Sequence, residues 1–156
     1  MASILCLLVC IGSGIIGGVF FAFSTFVMKA LTQLPASQGI AAMQRINVVV
    51  LNPIFLVVFV GTALVAGASA VASFFPWSPP RSPWLLASGL LYLVGSFLVT
   101  TAFNVPRNDR LARLESDSPE ASAYWPVYVR EWSRWNYVRT AASIASVTCS
   151  AMALAC

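Results

Sequence analysis

One short segment near the C-terminus carries side chains whose types and spacing suit the binding of a flat aromatic molecule. With an advance of about 100° per residue, as in an α-helix, five of them fall within about 100° of arc: Tyr128, Trp132, Trp135, Asn136 and Arg139. Arg130 and Arg134 fall on the opposite side. Aromatic rings stack on flat molecules, and a guanidinium binds a phenolate or enolate oxygen through a charge-assisted hydrogen bond. The segment therefore predicts either such a site or an interfacial helix with an aromatic belt and a snorkelling Arg139.

Polar residues elsewhere in the chain are expected to meet this face. Arg45 and Asn52 are seven residues apart and share a helical face, and Asn104 and Asn108 are four apart. Ser24 brings a hydroxyl to the same end of the first apolar segment. Polar groups within a membrane are costly unless they face the bundle interior or water, where they often mark function. We therefore expect a pocket; hydrogen bonding between helices is the competing explanation.

The residue inventory excludes several catalytic designs. The chain has no histidine, and its five acids all lie between Asp109 and Glu131, so the usual metal ligands and a Ser-His-Asp arrangement are missing. The cysteines have no metal-like spacing and are expected near the other membrane surface: Cys6, Cys10, Cys149 and Cys156. What remains is Arg, Asn, Trp and Tyr around an apolar cavity, a set of residues that can form an oxyanion site. We expect no metal ion and no cofactor.

The elements that must position these groups are membrane helices. The chain of 156 residues is 59% hydrophobic and only 9% charged, whereas soluble domains average about a quarter charged residues. Four stretches are long and apolar enough to span a bilayer, which takes about 20 residues: about 2–28, 46–75, 84–103 and 137–156. We predict one all-α membrane domain, a four-helix bundle with up-down-up-down topology. An amphipathic cytoplasmic helical connection, about 104–136, precedes the last helix.

The distribution of basic residues predicts orientation. Loops 29–45 and 104–136 carry most of the Lys and Arg residues, whereas loop 76–83 carries only Arg81. Under the positive-inside rule both basic loops face the cytoplasm, so both termini lie outside, with the cell membrane as the expected location. The net charge of +4 sits at helix ends and in short loops, which argues against nucleic acid as a partner. The expected partners are membrane lipids and a small aromatic or lipid-like ligand, and the chain allows a homo-oligomer.

Glycine and proline positions predict local features of the spans. Gly14, Gly18 and Ala22 recur every four residues and form a groove expected to serve internal packing. Asn52-Pro53 is expected to kink or bound the second span, because proline lacks a backbone donor. The proline-rich run at residues 75–84 is expected to form the outer turn.

Three separated blocks carry a distinctive order of residues. They are GGVFFAFSTFVMKALTQLPASQGIAAMQRINVVVLNPIF (17–55), FNVPRNDRLA (103–112) and WPVYVREWSRWNYVRT (125–140). This order resembles the DUF1772, or anthrone oxygenase-like, family of small four-helix membrane proteins. The polar positions of the blocks are Arg45, Asn47, Asn52, Asn104, Asn108, Trp132, Asn136 and Arg139. Two positions depart from the family pattern: Tyr137 stands where many members have His, and Arg107 where a hydrophobic residue is expected.

The resemblance implies that some relatives oxidise anthrones to anthraquinones with molecular oxygen and no evident metal or flavin. Applied to this chain, it implies that Arg139 or Arg45 stabilises an enolate and that Asn52, Asn104 or Asn136 orients its carbonyl. Trp132 and Trp135 would stack on the rings and exclude water. Asn108 and Ser24 are the further substrate-binding candidates, and Tyr128 is the candidate for proton transfer.

Two other classes of function remain open at this point. The chain is alternatively a non-enzymatic membrane protein that binds a lipid or quinone, or a subunit of a membrane assembly that uses its Gly and Ala seams. A transporter or channel ranks third, because a bundle of this size would need an oligomer. Tight retention of a ligand without oxygen consumption would favour the binding protein, and flux in vesicles would favour transport.

Overall fold

The chain is all-helical in a computed structural model, which describes residues 2–156. Its helices are α1 (Ala2–Ala22), α2 (Met28–Thr32), α3 (Ala36–Val49), α4 (Pro53–Ala72), α5 (Ser82–Leu90), α6 (Val105–Ala112) and α7 (Pro119–Ala155). The π-helical segment Phe23–Val27 joins α1 to α2. Two more, Leu91–Leu98 and Thr100–Asn104, join α5 to α6. The predicted all-α class is confirmed.

Four continuous helical stretches are long and apolar enough to cross a membrane: Ser3–Thr32, Pro53–Ala72, Ser82–Ala112 and Pro119–Ala155. At one end of the bundle Arg81 donates a hydrogen bond to Ser3 at 2.9 Å, and Cys6, Leu85 and Ala153 pack together. Both ends of the chain therefore lie beside the α4–α5 turn. The four-helix membrane bundle is confirmed, and the chain is a multi-pass membrane protein; which end faces the cytoplasm stays a prediction.

Several helix boundaries differ from those expected. The second span begins at Pro53, not near 46, and the third continues to Ala112, not to 103. The first connection contains α3, which packs on α6 and on the N-terminal half of α7 through Ile40, Met43, Leu111 and Tyr128. α7 begins at Pro119, not near 137, so the aromatic segment and the last span are one helix. Proline inside a helix removes a backbone hydrogen bond. The helix nevertheless continues past Pro126, because burial of its aromatic face stabilises it.

Small residues let the spans approach closely, but not those expected. A Cβ at Gly12 would meet Thr62, and one at Gly17 would lie 3.0 Å from the Cβ of Ser143, whereas Gly14 and Gly18 are exposed. A Cβ at Gly14 would only touch Val147 of α7, at 3.9 Å, and one at Gly18 would have no neighbour within 4 Å, so the expected groove gives no close helix contact. The face of α1 that packs against the other helices is determined by buried apolar residues: Cys6, Val9, Ile16 and Phe20.

Seryl hydroxyls bond across the core between helices. The pairs are Ser13 with Ser146 at 3.1 Å, Ser96 with Ser143 at 2.6 Å, and Ser88 with Ser150 at 2.5 Å. Such bonds satisfy hydroxyls that would otherwise be unpaired in a nonpolar medium. They attach α7 to α1 and to α5 and its π-helical extension, and so fix the register of the helix that carries the candidate site.

Candidate functional site

A cavity of about 350 Å³ lies at the end of the bundle where α3 meets α4. Its walls come from α1, α3, α4 and the continuous α5–α6 helix, and α7 contributes Trp132 and Arg139. Most of the lining is apolar, with Phe20, Phe23, Phe55 and Phe59 supplying aromatic rings. Its rim includes exposed apolar side chains: Val48, Leu51, Leu56 and Val105. The cavity therefore suits a nonpolar ligand that approaches past nonpolar residues.

Arg139 is a buried cation without an acidic partner. Its side chain is 4% exposed, its Nη1 donates to Thr100 Oγ1 at 3.2 Å, and its Nη2 donates to Asn136 Oδ1 at 2.6 Å. The guanidinium carbon lies 4.1 Å from the ring centre of Phe20 and 5.1 Å from that of Trp132. Within residues 2–156 the ion pair is that of Arg107 on α6 with Glu131 on α7, and Arg139 takes no part in it. A positive charge thus borders the cavity and is held by neutral groups, which leaves it available to an anionic ligand oxygen.

Asn136 holds Arg139 in place through its side-chain oxygen. Its Nδ2 donates to the Phe20 carbonyl and to Ser24 Oγ, both at 2.8 Å, so its Oδ1 faces the guanidinium. Ser24 belongs to the π-helical segment Phe23–Val27, in which the backbone hydrogen bonds change from the α to the π pattern. This segment follows Phe20, whose carbonyl accepts the hydrogen bond from Asn136. π-Helical turns are frequent at functional sites. Asn136 and Ser24 do not line the cavity and act through Arg139.

Asn108 joins two aromatic side chains of α7. Its Oδ1 accepts a hydrogen bond from the Tyr128 hydroxyl at 2.9 Å and another from Trp132 Nε1 at 2.8 Å. Tyr128 is fully buried and is not among the residues that line the cavity. Because its hydroxyl proton is committed to Asn108, the geometry gives Tyr128 a positioning contact and no direct path to a ligand in the cavity.

Asn104 ties the junction of α5 and α6 to α7. Its Nδ2 donates to the Trp132 carbonyl at 3.2 Å, and its side chain is buried behind the cavity wall. Its Oδ1 has no hydrogen-bond partner among the described residues. The structure brings Asn104 to the cluster, as a neighbour of Trp132 and not as a cavity-lining group.

Besides Ser24, Asn104, Tyr128 and Asn136, three further expected site residues do not line the cavity. Arg45 is exposed on α3. Asn52 is also exposed and caps α4: its Oδ1 accepts from Phe55 N at 3.0 Å. Trp135 stacks on Phe103, with ring centres 3.6 Å apart and planes 7° apart. The shared face expected for Arg45 and Asn52 required one continuous helix, but α3 ends at Val49 and α4 begins at Pro53, which breaks the helical phase.

Thr100 and Asn47 are two of the cavity-lining polar residues that had no role assigned from sequence; the others are Gln44, Thr101 and Asp109. Thr100 accepts from Arg139, and Asn47 borders the cavity with a buried Nδ2 that has no partner within residues 2–156. A helical signal for Asn47 was present, because it lies seven and four residues after the buried Ile40 and Met43 on α3. For Thr100 the sequence offered no such signal beyond its place at the end of an apolar stretch.

Tyr137 lies outside the cavity. Its side chain is 57% exposed, and its hydroxyl donates to the Ser24 carbonyl at 3.2 Å. A histidine at this position would begin from the same outward-facing backbone. The tyrosine therefore changes the outer surface of α7 and leaves the cavity lining intact.

Replacing Asn52 with alanine should lower the free energy of unfolding by about 1 kcal/mol, because α4 loses its N-cap. We expect the serine variant, which keeps a cap, to retain most of that stability. Thermal unfolding of both variants in the same detergent measures the effect. A full-stability alanine variant with impaired ligand binding would contradict the assignment of Asn52 as a cap.

Comparison with known proteins gives a family match for the larger part of the chain. A family model described as Anthrone oxygenase matches residues 55–149, which is more than half of the 156 residues. The matched range includes Asn104, Asn108, Trp132, Asn136 and Arg139, and it excludes α1 to α3. No curated protein and no solved structure shows a match.

Proposed function

Because the chain belongs to the anthrone oxygenase family, we propose that its cavity binds a flat anthrone-type or phenolic aromatic molecule and oxygenates it with molecular oxygen, without a cofactor. The observation that carries this proposal is Arg139, a guanidinium at the edge of an apolar cavity with neutral contacts only. Such a cation favours the ionised form of a bound ligand over the neutral form. Oxygen reacts with the ionised form.

The proposed reaction begins with loss of a proton from the methylene carbon of the anthrone. The resulting enolate is aromatic, and its oxygen accepts a hydrogen bond from Arg139, which stabilises the developing negative charge. The proton passes to solvent at the exposed rim, where Asp109 is the carboxylate among the lining residues. Oxygen then adds to the former methylene carbon to give a peroxide anion. This anion takes back one proton, and the hydroperoxide loses water to give the quinone. One oxygen molecule is consumed and one water is released for each anthrone.

The surrounding side chains support this chemistry by excluding water and fixing the ring. Trp132 is 5% exposed and borders the cavity beside Arg139, with its indole N–H held by Asn108. Phe23 contacts the Trp132 ring at 5.4 Å between centres. A rigid aromatic wall next to a fixed cation restricts a flat ligand to few orientations. A low local dielectric also strengthens the interaction of Arg139 with an enolate.

The test is oxygen consumption by the purified chain in lipid nanodiscs supplied with anthrone. We expect uptake above the spontaneous rate in empty nanodiscs, with quinone formed in equal amounts and unchanged by a metal chelator. An oxygen electrode and quinone absorbance measure the two quantities. If anthrone binds tightly but oxygen uptake equals the background, the cavity belongs to a binding protein for quinone-like molecules and the oxygenase proposal is wrong.

A further inference from the structure

Two residues that line the same apolar cavity each carry a buried N–H donor without a hydrogen-bond partner among residues 2–156. The donors are Arg139 Nε on α7 and Asn47 Nδ2 on α3. Buried donors are nearly always paired. Two unpaired donors on residues of one cavity therefore indicate that a ligand supplies the missing acceptors. In a nonpolar surrounding the energetic gain from providing that partner is larger than in water.

Three other polar residues of the cavity wall are already engaged, and the carboxylate of Asp109 is an acceptor at the exposed rim. Asn108 Oδ1 accepts from Trp132 and Tyr128, and Gln44 Nε2 donates to two backbone carbonyls, those of Leu111 and Leu114. Thr100 donates to the Ser96 carbonyl and accepts from Arg139. Asn47 differs from these neighbours: its side chain lies within hydrogen-bonding reach of the Tyr128 hydroxyl, but its Nδ2 makes no well-formed hydrogen bond there.

We infer that Asn47 is a specificity-determining residue whose Nδ2 binds a second acceptor oxygen of the ligand, apart from the oxygen held by Arg139. This rests on the proposed function for the identity of the first oxygen, the enolate oxygen at Arg139. The second acceptor is a hydroxyl or carbonyl oxygen on the ring system. The two donors come from different helices, so a ligand with both oxygens bridges α3 and α7 and is preferred over a ligand with one.

The contribution of Asn47 to ligand binding is separate from that of Arg139. Arg139 is fixed by Asn136 and Thr100 on α7 and the α5–α6 helix, whereas Asn47 is carried by α3, outside the four spans. Loss of the Asn47 amide therefore removes one contact and leaves the cation in place. Discrimination between ligands should change while affinity for a ligand with a single oxygen does not.

The experiment measures anaerobic binding, so that no ligand is consumed, by equilibrium dialysis of the chain in lipid nanodiscs. The probes are anthrone, which has one oxygen, and its monohydroxylated derivatives, one for each ring position. We expect the wild-type chain to bind at least one hydroxyanthrone about tenfold more tightly than anthrone. Asn47→Leu should abolish this preference and leave the affinity for anthrone within about twofold.

A second substitution and a control make the result independent of folding defects. Asn47→Asp replaces the donor by an acceptor in nearly the same volume and should lose the same preference. The control is Asn52→Ser, a nearby asparagine outside the cavity, which should keep the preference in full. Because Asn47 Nδ2 makes no well-formed hydrogen bond in the ligand-free chain, Asn47→Leu without ligand should unfold at a temperature close to that of the wild type.

The inference is overturned if the wild-type chain binds every hydroxyanthrone no better than anthrone, or if both Asn47 variants keep the preference. It is also overturned if the variants weaken all probes equally. Failure of the oxygenase proposal has a different signature, because oxygen uptake is measured separately. A preference that depends on Asn47, without oxygen uptake, supports the second contact and rejects only the reaction.

Discussion

Arg139→Gln should lower the rate of oxygen-dependent anthrone oxidation by about 10²–10³-fold, which is the usual cost of removing a donor to a developing oxyanion. The glutamine is neutral and shorter, so it neither favours the enolate electrostatically nor reaches its oxygen. The effect should fall mainly on the rate at saturating anthrone, because the charge develops during the reaction. Oxygen uptake in nanodiscs over a range of anthrone concentrations measures it.

Two comparisons separate charge from structure at this position. Arg139→Lys keeps the positive charge but not the planar pair of contacts to Thr100 and Asn136, so its rate should lie between those of wild type and Arg139→Gln. Arg130→Gln removes an exposed cation from the same helix and should leave the rate unchanged. A folded Arg139→Gln variant with the wild-type rate would show that the enolate is stabilised elsewhere.

Gly89→Ala should destabilise the bundle by about 3 kcal/mol, at the upper end of the range for overpacking a core. A Cβ at this position would lie 2.5 Å from the Ala66 carbonyl oxygen and 3.0 Å from the Ala70 Cβ, both on α4. Since the nearest atom belongs to the backbone, α4 and α5 must separate to admit the methyl group. Thermal or denaturant unfolding in detergent measures the loss.

Gly61→Ala is the matched control, because no atom lies within 4 Å of the Cβ position at Gly61 on α4. Alanine has the higher helix propensity, so this variant should be as stable as the wild type or more stable by up to about 1 kcal/mol. Opposite signs for the two substitutions would support the close α4–α5 contact. Equal stability of Gly89→Ala and Gly61→Ala would mean that the contact is looser than described.

Much of the fold follows from local patterns in the sequence. The four apolar stretches, the turn rich in proline and the boundary at Asn52-Pro53 depend on composition and on the geometry of proline, which act within a few residues. The family resemblance is confirmed over residues 55–149, while most of the first resembling block lies outside that match. The helical extent was harder to predict, since α7 continues to Pro119 only because its aromatic face is buried by α3 and α6.

The candidate site was likewise predicted only in part from the sequence. A helical projection is local, and it correctly grouped Trp132, Asn136 and Arg139, which are all buried on one face of α7. It grouped Trp135 with them as well, but Phe103 covers that ring and removes it from the cavity. Whether a side chain lines a cavity depends on which residues of other helices lie next to it. A projection of one helix contains no information about those residues.

By itself, therefore, the sequence determined an all-helical membrane bundle and the face of its last helix that holds a cation and aromatic rings. Only the tertiary structure decided which partners meet that face. It excluded Arg45 and Asn52, because the break between α3 and α4 rotates them away, and it brought Asn47 and Thr100 to the cavity. The physical reason is that helical period is set by backbone hydrogen bonds within each element, whereas a cavity is set by packing between elements that are distant in sequence.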